Sequence, residues 1–250
     1  MHEFLDYFFY RIKSNKQIEL NEVVVISSIS KRGKFYEARK RLALYGFKDF
    51  MIMLFIILKN KFLSIFAFFC NYNKCFSLNN VFNKYNLNKI SDVNINSQKF
   101  IDYIKKESID IIISVAAPII FNKKLLSSPN KFCINYHTAL LPKYRGRMPL
   151  FWALLNDEIE TGVTIHIMDE KIDNGYILGQ KKIIIDKNDT LHNLYEKSIK
   201  SGAELLSNIL YKIVNGTCKK QKNDSKKATY YTTPNKLDSQ KFRNAEKKFF

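Results

Sequence analysis

Three polar side chains in one stretch could do chemistry together. From Cys133 to Gln180 the chain reads CINYHTALLPKYRGRMPLFWALLNDEIETGVTIHIMDEKIDNGYILGQ, with Asn135 and His137 two residues apart and Asp173 well downstream. An amide NH2 is a neutral donor suited to charge developing on an oxygen, and an imidazole gives or takes a proton near neutrality. A carboxylate accepts protons and raises the pKa of an imidazole beside it. Singly, none is diagnostic. A lone histidine at a strand end is more often structural, and Asp173-Asn174-Gly175 by itself is an ordinary turn. His166 is a weaker candidate, because a strand histidine beside a site more often satisfies a buried hydrogen bond.

The surrounding pattern predicts the elements that hold these groups. Phe132–His137 alternates as a strand and Leu140-Leu141-Pro142 ends it. Pro149 opens a helix through Leu155, Val163–Met168 is a second strand, and the Asp173–Gly175 turn precedes a third, Ile183–Ile185. The three polar groups therefore fall at strand ends, where open α/β sheets build sites. Asp110–Val115 is a continuous apolar run, the pattern of a parallel strand covered on both faces.

The rest of the chain frames this core. Phe4, Leu5, Phe8, Phe9 and Ile12 recur at helical spacing in a segment that is not a secretory signal. Val23–Ser27 and Ile90–Ile95 read as short strands, and Asn79–Lys89 as polar and turn-rich. Ser97 is an N-cap for a helix to Ser108, and Asp189-Thr190-Leu191 starts a long helix that Gly216 ends. Residues 34–75 form an atypical apolar and basic insertion: a basic helix over Tyr36–Leu42, then Met51–Leu58 and Phe62–Cys70 split by Lys59-Asn60-Lys61. Neither apolar run reaches the ~18–20 residues of a membrane span, so a helix pair packed on the sheet or on a partner is expected. Interfacial attachment to an anionic membrane through residues 48–70 is the sharper alternative.

Composition bounds the class. A 46% hydrophobic and 14% aromatic chain is globular, and four cysteines without metal or disulfide spacing fit a reducing cytoplasm. The net charge of +18 invites nucleic acid or membrane, but the lysines are scattered and no arginine-aromatic RNA motif is present, so a chain rich in Lys, Asn and Ile throughout explains it better.

The ordered set Asn-x-His, Leu-Leu-Pro-x-x-x-Gly, Gly-Val-Thr and Asp-x-Gly resembles the folate-dependent formyltransferases, which include glycinamide ribonucleotide, methionyl-tRNA and amino-sugar formyltransferases. The resemblance is strong from Ile109 to Gln180 and weaker across Val23–Ser108 and Asn188–Gly216. It implies a Rossmann-like α/β fold: an open, mostly parallel sheet with helices on both faces. The family opens with a strand and a glycine-bearing loop that this sequence lacks before its first helix, so the first strand is expected to be missing. Residues 1–216 would be the catalytic domain and 217–250 a Lys-rich linker with a short C-terminal tail.

By the same resemblance, Asn135 and His137 would stabilise the oxyanion and Asp173 would relay a proton from the attacking amine to the leaving nitrogen. The co-substrate would be 10-formyltetrahydrofolate, bordered by Ala116, Ala117, Pro118, Met168 and Ile172, with no metal. Arg145, Gly146 and Pro149 match an Arg-Gly-x-x-Pro of methionyl-tRNA and amino-sugar members, and Arg145 and Gly146 would meet a phosphate or carboxylate of the acceptor. Ala139 stands where the family often has serine. The expected activity is formyl transfer to a primary amine, preferably a nucleotide-linked amino sugar, since the tail is shorter than a tRNA-gripping domain. Methionyl-tRNA is the alternative acceptor, and a truncated, non-catalytic binding or membrane-associated protein the alternative of another class. A homodimer is compatible with all three.

Overall fold

The structure, a computed structural model, describes residues 1–26, 33–69 and 74–250. Helix α1 (His2–Ile12) buries Phe4, Phe8, Phe9 and Ile12 on one face, as their spacing predicts. β1 (Val23–Val25), α2 (Gly33–Phe69), α3 (Leu78–Tyr85) and β2 (Lys89–Ser91) follow. α4 (Gln98–Lys106) starts where the Ser97 side chain accepts from the Phe100 amide. Next come β3 (Ile111–Val115), the short α5 (Lys123–Leu126), β4 (Phe132–His137) and β5 (Arg145–Gly146). α6 (Pro149–Leu155), β6 (Glu160–Ile167), β7 (Ile177–Ile184) and α7 (Leu191–Val214) carry the chain onward. A 3-10 turn at Ser225–Lys227, β8 (Tyr230–Tyr231) and α8 (Lys236–Asn244) are the last elements.

The architecture is mixed α/β, but the expected mostly parallel sheet is not what forms. The four-stranded sheet has the order β3-β4-β6-β7, with β3 parallel to β4 and the other two pairings antiparallel. β1-β2 and β5-β8 are separate parallel pairs. For β6 and β7 the reason is local: the turn that joins them, centred on Asp173–Gly175, is too short for the crossover that a parallel return needs. β3 corrects a second expectation. Its residues are mostly half-buried, and among the described residues β4 is the strand it pairs with.

The expected helix pair is one helix with a different break. α2 runs straight through Lys59-Asn60-Lys61 and is interrupted at Gly46, where φ is 74°. Lysine and asparagine sit in helices at small cost, whereas a left-handed residue ends the regular hydrogen bonding. The polar stretch after Asn79 also conceals a helix: Ser77 caps α3, which buries Val81 and Phe82. Ser27 and Cys70, the ends of two predicted segments, lie outside the described residues.

The main core lies between the four-stranded sheet and α1, α6 and α7. The Phe4 ring meets Tyr136 of β4 at 4.6 Å between centroids. The segment after Gly216 joins this core: Asn235 and Asp238 form a capping box on α8, and Phe242 and Phe249 stack on Phe151.

Candidate functional site

β4 and β6 pair antiparallel with Asn135 opposite His166 and His137 opposite Thr164, so both histidines and the amide belong to neighbouring rungs of one ladder. The loop after β4 is pinned over these rungs. The Thr164 hydroxyl donates to the Ala139 carbonyl at 2.6 Å and accepts from the Leu141 amide, while Gln180 donates to the Leu141 carbonyl. This explains the sequence spacing: Gly-Val-Thr supplies the hydroxyl that holds the Leu-Leu-Pro loop.

Asp173 arrives from the β6–β7 turn with φ at 48°, a left-handed conformation that aspartate tolerates better than most residues. Its Oδ2 accepts from the Gly146 amide at 2.8 Å and lies 3.6 Å from His137 Nδ1. Its Oδ1 lies 3.4 Å from His166 Nε2 and 3.4 Å from the donating Asn135 Nδ2. Asn135 Nδ2 also stands 3.2 Å from His166 Nε2. The three predicted residues thus converge on one carboxylate, and His166 joins them.

The histidine tautomers follow from their outer partners. His137 Nε2 lies 2.8 Å from the Tyr144 carbonyl, so Nε2–H donates there and Nδ1 faces Asp173. His166 Nδ1–H donates to the Ile167 carbonyl at 2.8 Å, and its Nε2 faces both Asn135 Nδ2 at 3.2 Å and Asp173 Oδ1 at 3.4 Å.

Burial sets the charges. It works to raise the Asp173 carboxyl, but the hydrogen bond from His166, the charge of His137 and the Gly146 amide bring it down to about 2. Burial holds the His137 imidazole below its ordinary range and outweighs the upward pull of Asp173. The expectation that the neighbouring carboxylate keeps His137 protonated is therefore reversed: desolvation of a fully enclosed ring is the larger effect. An ionised carboxylate beside two imidazoles and an amide is a proton acceptor flanked by donors and relays, the set an acyl transfer to an amine requires.

The sequence profile described as Formyl transferase matches residues 69–210. The chain belongs to the formyl transferase family.

Relatives in this family include a methionyl-tRNA formyltransferase of Caldanaerobacter subterraneus, 37% identical over 54% of this chain and 44% of its own length. The chain thus spans about half the length of the curated relatives it matches. Among solved structures, a sugar N-formyltransferase from a Shewanella species superposes with a TM-score of 0.51 at 33% identity, covering 59% of this chain and 56% of that one. A sugar 3N-formyl transferase determined in the presence of dTDP and 5-N-formyl-THF gives a TM-score of 0.51 at 27% identity, covering 62% of this chain and 53% of that chain.

The other sequence-predicted residues of this formyl transferase chain divide. Ala116, Ala117 and Pro118 follow β3, whose ladder sets Val115 opposite Tyr136, so they leave the sheet at the end where His137 sits. Ala117 and Met168 pack in one apolar cluster with Cys133, and Ile172 is exposed beside the Asp173 turn. A cleft of about 490 Å³, bordered by Leu126, Asp169, Lys171 and Asn174, shares Asn174 with that turn.

Arg145 does not reach into open space. It is buried, donating to Asn174 at 2.7 Å and Asn223 at 2.9 Å, with Nε left without a partner. Gly146 has φ of 98°, and a Cβ there would run into the Tyr231 carbonyl of β8. Its role is the bare amide it offers Asp173.

Asn223 is the residue that sequence reasoning missed. Its amide donates to the Asp173 and Gly175 carbonyls while its oxygen accepts from Arg145, so it clamps the turn. It lies in a lysine-rich stretch without periodicity, and no local signal marks it.

Proposed function

We propose that this protein transfers a formyl group from 10-formyltetrahydrofolate to a primary amine. The observation that carries the reading is the convergence of Asn135, His137 and His166 on the ionised Asp173. The folate supplies the activated formyl carbon. Asn135 Nδ2 is held to Asp173 by a long 3.4 Å contact and is readily redirected to negative charge building on the formyl oxygen. His137 Nε2–H, held by the Tyr144 carbonyl, turns to the same oxygen, and Asp173 takes the proton that the amine loses and passes it to the folate nitrogen, whose bond to the formyl carbon breaks as the new amide forms. The small Ala116 and Ala117, with Pro118, Met168 and Ile172, would form the apolar border on which the pterin rests.

A nucleotide-linked amino sugar is the favoured acceptor. The similarity to sugar N-formyltransferases supports it. Methionyl-tRNA is the second reading, favoured by the identity to methionyl-tRNA formyltransferases. Because Arg145 is engaged by two asparagines, an acceptor phosphate would contact it after Asn174 or Asn223 lets go. The reaction would take place in the cytoplasm.

The test is formyl transfer from labelled 10-formyltetrahydrofolate to a panel of nucleoside-diphosphate amino sugars and to methionyl-tRNA. Label on a sugar alone supports the favoured reading, and label on tRNA the second. Folate binding without transfer to either makes the chain a binding protein.

A further inference from the structure

The second arm of α2, from Phe47 to Phe69, is apolar on both sides, and one of its sides is largely exposed. The inward side is made of half-buried Ile52, Ile56 and Leu63 and buried Ala67. On the outward side Phe55, Leu58, Phe62, Ile65, Phe66 and Phe69 recur at three- and four-residue steps, and all six are exposed. Phe62 is 70% exposed and Phe69 79%, values that a water-facing helix does not ordinarily show for consecutive turns of aromatic residues. At 1.5 Å per residue the stripe from Phe55 to Phe69 is about 21 Å long.

Two features select what covers it. The first is charge. At 3.6 residues per turn, Lys59 falls on one side of the stripe and Lys61 on the other, and no acidic residue occurs from Phe50 to Phe69. A second copy docked on this face would set lysine against lysine, in a chain that already carries a net +18. An anionic surface is complementary, and lysines at the rim of an apolar stripe extend their ammonium groups toward headgroups.

The second feature is attachment. The helix is tied to the body on either side of the stripe: just before the Gly46 break, Arg243 of α8 donates to the Leu44 carbonyl and Tyr45 packs edge-on to Phe249. At the far end Ser64 donates to Ser77, and Asn80 of α3 donates to the Ser64 carbonyl. A helix anchored at both ends along the surface of a domain lies flat and does not thread a bilayer.

We propose that the outward face of α2 seats this protein on an anionic lipid bilayer, with the helix axis in the membrane plane and the phenylalanine stripe at the boundary between headgroups and acyl chains. The proposal does not depend on the acceptor of the formyl group.

Flotation of the full chain with vesicles tests it. We expect about tenfold more protein to float with vesicles of mixed phosphatidylglycerol and phosphatidylcholine than with phosphatidylcholine alone, and high salt to reduce the difference. The triple variant Phe55→Ser, Phe62→Ser, Phe66→Ser should lose roughly tenfold or more in partition with an unchanged melting temperature, because all three rings are exposed. Phe62→Trp adds an indole to the single native Trp152, and acyl-chain bromines should quench the added emission. Equal flotation of wild type and triple variant would overturn the proposal. So would added indole emission that the bromines leave unquenched, or a lipid-free dimer that the triple variant abolishes.

Discussion

Replacing Asp173 with asparagine keeps the shape of the side chain and suits the turn, since asparagine also tolerates a φ of 48°. What it removes is charge and a proton acceptor. The carboxylate is held at about 2 against an ordinary 3.8, and that depression corresponds to roughly 2–3 kcal/mol of favourable interaction with its surroundings. Because the folded value is the lower one, this contribution is fully present above about pH 4 and is lost only as pH falls toward 2. At neutral pH, where His137 is uncharged, the variant forfeits at most this much. The asparagine oxygen can satisfy either the Gly146 amide or Asn135 Nδ2, and its own NH2 must then face a donor. We expect a loss of about 2 kcal/mol in unfolding free energy and, if Asp173 takes the amine proton, a fall in single-turnover formyl transfer on the order of 10²-fold or more. Folate affinity should change little, because the lost interaction belongs to the transition state. The assay is single-turnover transfer beside folate titration and denaturant unfolding, for wild type and variant. A folded variant that transfers formyl at the wild-type rate would refute the role of Asp173 and the mechanism with it.

Other perturbations follow from the same geometry. His166→Gln keeps hydrogen-bonding reach toward Asp173 but lacks the imidazole that faces both Asp173 and Asn135, and should slow single-turnover transfer by about tenfold or more with folate affinity little changed. Asn223→Ala leaves two turn carbonyls and one Arg145 nitrogen unpaired and should cost about 2–3 kcal/mol in denaturant unfolding, with a matching loss of folate-dependent activity. Gly146→Ala drives a methyl group into the Tyr231 carbonyl at an unfavourable φ, so its melting temperature should fall below that of wild type. Burial lowers the His137 pKa, so the unfolded chain takes up that proton first: stability should be level above pH 6.5 and decline below it. His137→Asn should show a shallower decline in thermal melts across pH 7.5 to 5.5.

The sequence alone determined what depends on neighbours in the chain. β4 alternates strictly enough to be read as a strand, Pro149 starts α6, Ser97 and Thr190 cap their helices, and the spaced Phe4, Phe8, Phe9 and Ile12 make α1 amphipathic. The ordered Asn135, His137 and Asp173 pointed to one site, and they meet within hydrogen-bonding and ion-pair range. Tertiary structure decided what depends on partners distant in sequence. His166 enters the site because the β4–β6 register sets it opposite Asn135, a pairing no local pattern encodes. Asn223, 50 residues after Asp173, clamps its turn through a single side chain. The neutral state of His137 reflects enclosure by the fold, which reverses the inference drawn from its nearest charge. β7 returns antiparallel because a short turn joins it to β6, and α2 breaks at Gly46 because a backbone angle, not a charge cluster, ends a helix. Propensity and capping act over a few residues, whereas register, burial and desolvation exist only once the chain has closed on itself.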